Sequence, residues 1–148
     1  MMKWILIGIF IFSAAIGGGL YFFKGHSGGG TATELDWRAL GELDYIANKP
    51  TPQLLKFDGQ RVKIPGFMVP LEDNQRLVTE FLLVPSPQAC IHVPAPPPNQ
   101  MVYAKMKKGV PAAHGPIWIY GQFKISTQKS QYGDASFELE VDFVEDYK

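Results

Sequence analysis

From Ala135 to Glu145 the chain reads ASFELEVDFVE, and this stretch constrains the fold more than any other. Phe137, Leu139, Val141 and Phe143 alternate with Glu138, Glu140 and Asp142. Successive side chains of a strand point to opposite faces, so a period of two predicts a strand with one dry face and one wet face. Such a strand needs neighbours to pair with and a core to cover its apolar side.

Four other stretches supply candidate neighbours. QRVKIPGFMVPL follows the turn pair Asp58-Gly59, and its Val62 and Ile64 alternate. The Pro65-Gly66 pair then predicts a register shift of the kind a bulge makes, which places Phe67, Val69 and Leu71 on the buried face. RLVTEFLLV, MVYAKMK and PIWIYGQFKIS complete the set. In the last of these, Ile117, Ile119, Phe123 and Ile125 share a face with Gly121 at the middle. The lysines of KMKKG, Lys105 to Lys108, read as a solvated hairpin end. Before the strands, LDWRALGELDYI predicts a short amphipathic helix with Asp36 as N-cap. Leu35 and Leu40 are spaced as a hydrophobic staple, Leu40, Leu43 and Ile46 lie near one face, and Pro50 and Pro52 end the element. Everything after Pro52 reads as strand and turn. The expected fold is therefore mainly β, a small five-stranded OB-like barrel with a short N-terminal helix, and a small sandwich is the alternative.

The first residues differ in kind. Trp4 to Phe23 carries no charge and has roughly the 20 residues that a bilayer-spanning helix needs. Small residues in SAAIGGG fit a cleaved signal, but apolar LYFF follows them and favours an uncleaved anchor. The expected organisation is a transmembrane anchor at residues 1–24, a flexible tether at 25–33 and a soluble domain at 34–148. With the short N-terminus in the cytoplasm, the domain faces the periplasm of a bacterial cell as a single-pass inner-membrane protein. Lys3, Lys24 and His26 give only a weak positive-inside signal for that orientation.

Charge excludes one class of partner. Lysine plus arginine number 14, as do aspartate plus glutamate, so nothing here attracts a polyanion by net charge. Trp118, Tyr120, Tyr103 and Phe123 would make a stacking platform in a nucleic-acid barrel, but the balance of charge and the exported location argue for packing, and no nucleic acid is expected as partner.

The segment PSPQACIHVPAPPPNQ holds the chain's single cysteine, Cys90, two residues from His92. In extended chain, positions i and i+2 share a side. Thiolate and imidazole are preferred ligands of zinc and copper, so Cys90 and His92 are candidate metal ligands. A site needs at least a third ligand, and Glu80 and His114 are the candidates. Alternatively, Cys90 is a small buried hydrophobe and His92 bonds a backbone carbonyl. Cys90 could also act as a nucleophile with His92 beside it, although no CxxC and no oxyanion-type glycine motif accompany them. The run Pro94, Pro96, Pro97, Pro98, Asn99 and Gln100 reads as a rigid crossover between strands or as a polyproline recognition edge. The amides of Asn99 and Gln100 would satisfy loop backbone groups or face a ligand beside His92.

DGQRVKIPGFMVPLE, VTEFLLVPSPQACIHVPAPPPNQMV, PIWIYGQF and YGDASFELE together resemble a family of small bacterial envelope proteins catalogued as domain of unknown function 3299. The likeness extends from about Leu35 to Tyr147. It implies export, and a gene neighbourhood of transporter components that respond to zinc. It implies no enzyme activity. This chain departs from lipidated members in having no cysteine near its N-terminus, so an apolar helix would replace the lipid. The expected function is thus a non-catalytic, membrane-anchored periplasmic accessory protein of a zinc transport or homeostasis system, with transporter components as partners and zinc as the possible cofactor. An envelope scaffold using the proline-rich loop is the second reading, and a cysteine-dependent enzyme the third.

Overall fold

The computed structural model describes residues 31–87 and 94–148, and Thr31–Lys148 forms one compact unit. The expected membrane span, most of the tether, Cys90 and His92 lie outside the described residues. Among the described residues no helix is long and apolar enough to cross a membrane.

Helix α1, Trp37–Gly41, begins where Asp36 can cap it, and the Asp36 carboxylate accepts from Ala39 N at 2.8 Å. Leu35, Leu40 and Leu43 are buried. Ile46, expected on the same face, is 87% exposed. The helix stops at Gly41, well before the prolines. The Asp44 carboxylate then accepts from Ile46 N and Ala47 N at 3.0 Å each, building a tight turn that swings Ile46 into solvent. A second helix, α2 at Pro52–Leu55, corrects the expectation of strands throughout. Thr51 caps it through Leu54 N, Pro52 opens it, and Leu54 is buried beneath it.

The described residues are mainly β, with six strands: β1 Thr33–Glu34, β2 Arg61–Pro70, β3 Val78–Val84, β4 Val102–Val110, β5 Pro116–Ser130 and β6 Gly133–Asp146. All five expected strands form. They pair in the order β2-β3-β4-β6-β5, and β5 pairs again with β2, so the sheet closes on itself. Within this ring only β4–β6 is parallel; short β1 adds a parallel edge to β2. The interior holds Ile64, Phe81, Ile119, Phe123, Phe137 and Leu139, with the rings of Phe123 and Phe137 5.4 Å apart.

Three strand expectations are corrected. The Pro65-Gly66 pair makes no register shift, because β2 pairs with β5 without interruption from Arg61 to Phe67. Val62, Ile64, Gly66 and Met68 face inward, and Phe67 and Val69 face outward. Lys105–Lys108 lie within β4, not at a hairpin end; the tight hairpin is Gln131–Tyr132, between β5 and β6. Phe143, expected in the core, is 44% exposed. Tyr120 pairs with Phe143 but Gly121 pairs with Val141, so one extra β6 residue bulges out between them. A one-residue slip turns every later side chain to the other face. Val144 accordingly packs on the core in place of Phe143.

Candidate functional site

The proline-rich connection leaves the sheet at Val84 and returns at Val102. Its described parts are two feet, up to Pro87 and from Pro94 onward. Pro94 and Pro97 are exposed, while Pro96 and Pro98 are half-buried. Pro97 is extended, with φ −62° and ψ 153°, and a single 3₁₀ turn follows at Pro98–Gln100. Proline's fixed φ and missing N–H suit both an extended run and the first position of a turn.

Asn99 fastens this foot. Its side chain is buried, and Nδ2 donates to Gly41 O and Leu43 O at 3.1 Å each. Gln100 Nε2 donates to Trp37 O at 3.3 Å and to Asn99 O at 3.1 Å. The last carbonyls of a helix have no partner within it. Here the two amides supply partners to α1 and the turn after it. Gly41 leaves room for this: a Cβ there would lie 3.1 Å from Gln100 Nε2. Among the described residues Asn99 Oδ1 has no hydrogen-bond partner.

Above the foot, Leu82, Val84, Met101 and Ala135 form a second buried cluster, flanked by Phe67, Val69, Leu71 and Tyr103. This cluster sits on the outward side of β2 and β3. It explains why β3 is apolar at both phases from Phe81 to Val84.

Below the cluster the outward face of β3, β4 and β6 turns polar. Tyr103 donates its hydroxyl to Glu80 Oε2 at 2.9 Å. Lys105 Nζ lies 3.7 Å from Glu138 Oε1 and 5.2 Å from the Tyr103 ring. Gln128 Nε2 donates to Glu138 at 2.9 Å. Burial first, then the bond to Glu80 and the charges of Glu80, Glu138 and Glu72, push the Tyr103 phenol up to about 12. Glu72 pins the β2–β3 connection by accepting from the backbone and hydroxyl of Thr79 and from Glu80 N. Those bonds, the Thr79 backbone first, hold its carboxyl below the usual range against an opposing effect of burial. A groove of about 390 Å³ continues from this face past Glu138 and Glu140 to Lys124, Gln122 and Asp58.

An alkaline titration checks this arrangement. Tyr103 favours its neutral form in the fold, so its contribution to stability is full below about pH 10 and disappears as pH rises towards 12. Tyr103→Phe is expected to delete the absorbance step near 12; deletion of a step near 10 would contradict the assigned environment.

The sequence-expected ligands fall at separate places. Glu80 lies midway along β3 and is already engaged by Tyr103. His114 is exposed in the β4–β5 connection, which is tied by Ala112 N to Gln75 O at 2.8 Å. That connection leaves at the Val78–Val110 end of the β3–β4 pair, and the proline-rich feet stand at the Leu83–Val102 end. Five residue steps along β3 separate the ends, about 17 Å. Among the described residues no group of three or more His, Cys, Asp or Glu converges as for a metal ion. The Glu80–Tyr103 pair was missed in the sequence, where Tyr103 was read as packing; its signal was the alternation of Tyr103 and Lys105 with inward Ala104.

Among curated proteins nothing matches the chain. Among solved structures, a crystal structure of a DUF3299 family protein from Pseudomonas aeruginosa PAO1 is similar at 34% identity and a TM-score of 0.65, covering 80% of this chain and 98% of that one. Residues 42–146 match the profile of the family described as Protein of unknown function (DUF3299). The chain belongs to the DUF3299 family.

Proposed function

We propose that the protein is a non-catalytic binding module, anchored in the bacterial inner membrane by residues 4–23, whose periplasmic domain serves a zinc transport or homeostasis system. The domain is read as an OB-type barrel: the ring β2-β3-β4-β6-β5 with a parallel β4–β6 pair supports that reading. In OB folds the outward face of the second and third barrel strands is part of the recognition surface. Here those strands are β3 and β4, and the segment between them carries Cys90 and His92.

The observation that carries the proposal is the Asn99–Gln100 fastening. It ties the return foot of that segment to α1 and the turn after it by buried and half-buried hydrogen bonds, so the segment is held at one end by the domain. Holding a segment in place lowers the entropy lost when it binds. The donor set also fits: a thiolate and an imidazole suit zinc, and Cys90 and His92 would be its ligands. The third ligand would come from Glu80 or a partner; engaging Glu80 would require Tyr103 to release it.

Zinc content measured by mass spectrometry on purified full chain is the test. Wild type is expected to hold zinc, and Cys90→Ser and His92→Ala to lose most of it. Equal and negligible zinc in all three overturns the metal reading. The same fastened foot favours the scaffold reading next. It would stand if zinc is absent and a partner recovered from native membranes is lost when residues 85–98 are replaced.

A further inference from the structure

The outward face of β5 and β6 bears a ladder of aromatic rings. Tyr120 stacks on Phe143 with centroids 4.3 Å apart, and Trp118 stacks on Tyr147 at 5.2 Å. Lys63 Nζ lies 4.4 Å from the Trp118 ring centre. Phe143 and Tyr147 are 44% and 49% exposed. The bulge opposite Gly121 is what turns Phe143 outward. A strand that keeps its alternation would have buried it. Bulges that re-aim a side chain are features rather than defects, and clustered exposed rings mark a contact surface.

The rim of this face is where the chain enters the domain. β1 pairs Thr33 with Val62 and Glu34 with Lys63, and Glu34 bridges to Lys63 at 3.2 Å. Ten residues lead from Phe23 to Thr33, a reach of at most about 36 Å when fully extended. An apolar run embedded up to Phe23 therefore keeps β1 within that distance of lipid. Tryptophan and tyrosine are the side chains favoured at the bilayer interface, because an apolar ring body ends in a polar tip. Among the polar groups of this face, Tyr120 donates to Glu145 at 3.0 Å, and Arg61 pairs with Asp142 at 2.9 Å. They need no anionic headgroup as partner.

We propose that the face bearing Trp118, Tyr120, Phe143 and Tyr147 rests on the headgroup layer of the membrane. The inference depends on the anchor reading above. It makes the proline-rich connection, on other strands of the ring, the part left to face soluble or transporter partners.

The full chain is reconstituted into vesicles of phosphatidylethanolamine and phosphatidylglycerol that carry a nitroxide near the headgroup end of the acyl chain. Trp4→Phe keeps Trp37 and Trp118; adding Trp118→Phe leaves Trp37 alone, so the difference reports Trp118. Its emission is expected to fall about twofold with little dependence on salt, and to recover in a Phe143→Glu, Tyr147→Glu chain that still floats with the vesicles. Flotation with unquenched Trp118 overturns this proposal and leaves the anchor intact. Failure to float overturns both. Trp118 unquenched in lipid alone but shielded in native membrane fragments assigns the face to a protein and also overturns the lipid contact.

Discussion

Replacing Asn99 with aspartate is expected to destabilise the domain by about 3–5 kcal/mol at neutral pH, the range for an unpaired buried charge. Asn99 is only 8% exposed, and its two amide hydrogens serve Gly41 O and Leu43 O. Aspartate keeps the size but brings a carboxylate against two carbonyl oxygens. Both carbonyls lose their donor, and the new charge has no cation among its named partners. Alanine at the same place loses the donors without adding charge, and about 1–3 kcal/mol is expected. The aspartate defect should also depend on pH. Burial and the facing carbonyls favour the protonated acid, so the folded-state pKa rises above the unfolded value of about 4. Stability relative to wild type then declines as pH rises through and beyond that value. Urea unfolding at acid and neutral pH measures both effects. A variant within about 1 kcal/mol of wild type at neutral pH would show that the amide does not fasten the loop.

Gly121→Ala is expected to cost about 3 kcal/mol, at the upper end for overpacking in a close-packed site. A Cβ at Gly121 would lie 2.1 Å from Glu140 O, which is backbone and cannot swing aside. Relief requires β6 to retreat from β5, at the point where its bulge sets the outward turn of Phe143. Gly115→Ala is the control. A Cβ there meets nothing within 4 Å, and its effect should stay within about 0.5 kcal/mol. The melting temperature of the Gly121 variant should fall by roughly 10 °C, and the near-UV signal of the Tyr120–Phe143 stack should change. Equal melting of both variants would mean that the two strands approach less closely at Gly121.

Strand existence was readable because alternation is local. Val102 to Met106 and Phe137 to Val141 each reveal their inward residues without reference to any partner. The Asp36 cap was readable for the same reason: donor and acceptor lie three residues apart. Helix α2 was overlooked although Thr51-Pro52 is a cap and first-turn pair, because the alternating strands that follow it dominated the pattern. On β2, Phe67 and Val69 were assigned to the core since apolar residues were assumed to share one interior. The second cluster, around Leu82, Val84, Met101 and Ala135, gives them another. For the candidate site, residue types pointed to Cys90 and His92, while the placement of Glu80 and His114 followed from which end of β3–β4 each connection leaves. No spacing in the sequence carries that information.

The sequence by itself determined where the five long strands form, which helix end is capped, and the balance of basic and acidic residues. These are contacts among near neighbours and sums over residues. Tertiary structure alone decided that β4 and β6 run parallel and that the sheet closes through β2 and β5. It also decided that Phe143 leaves the core and that Asn99 spends its amide 56 and 58 residues upstream. Each of these is a pairing between distant segments, where a single bulge or buried amide selects one register. The local pattern on either side reads the same whichever register wins.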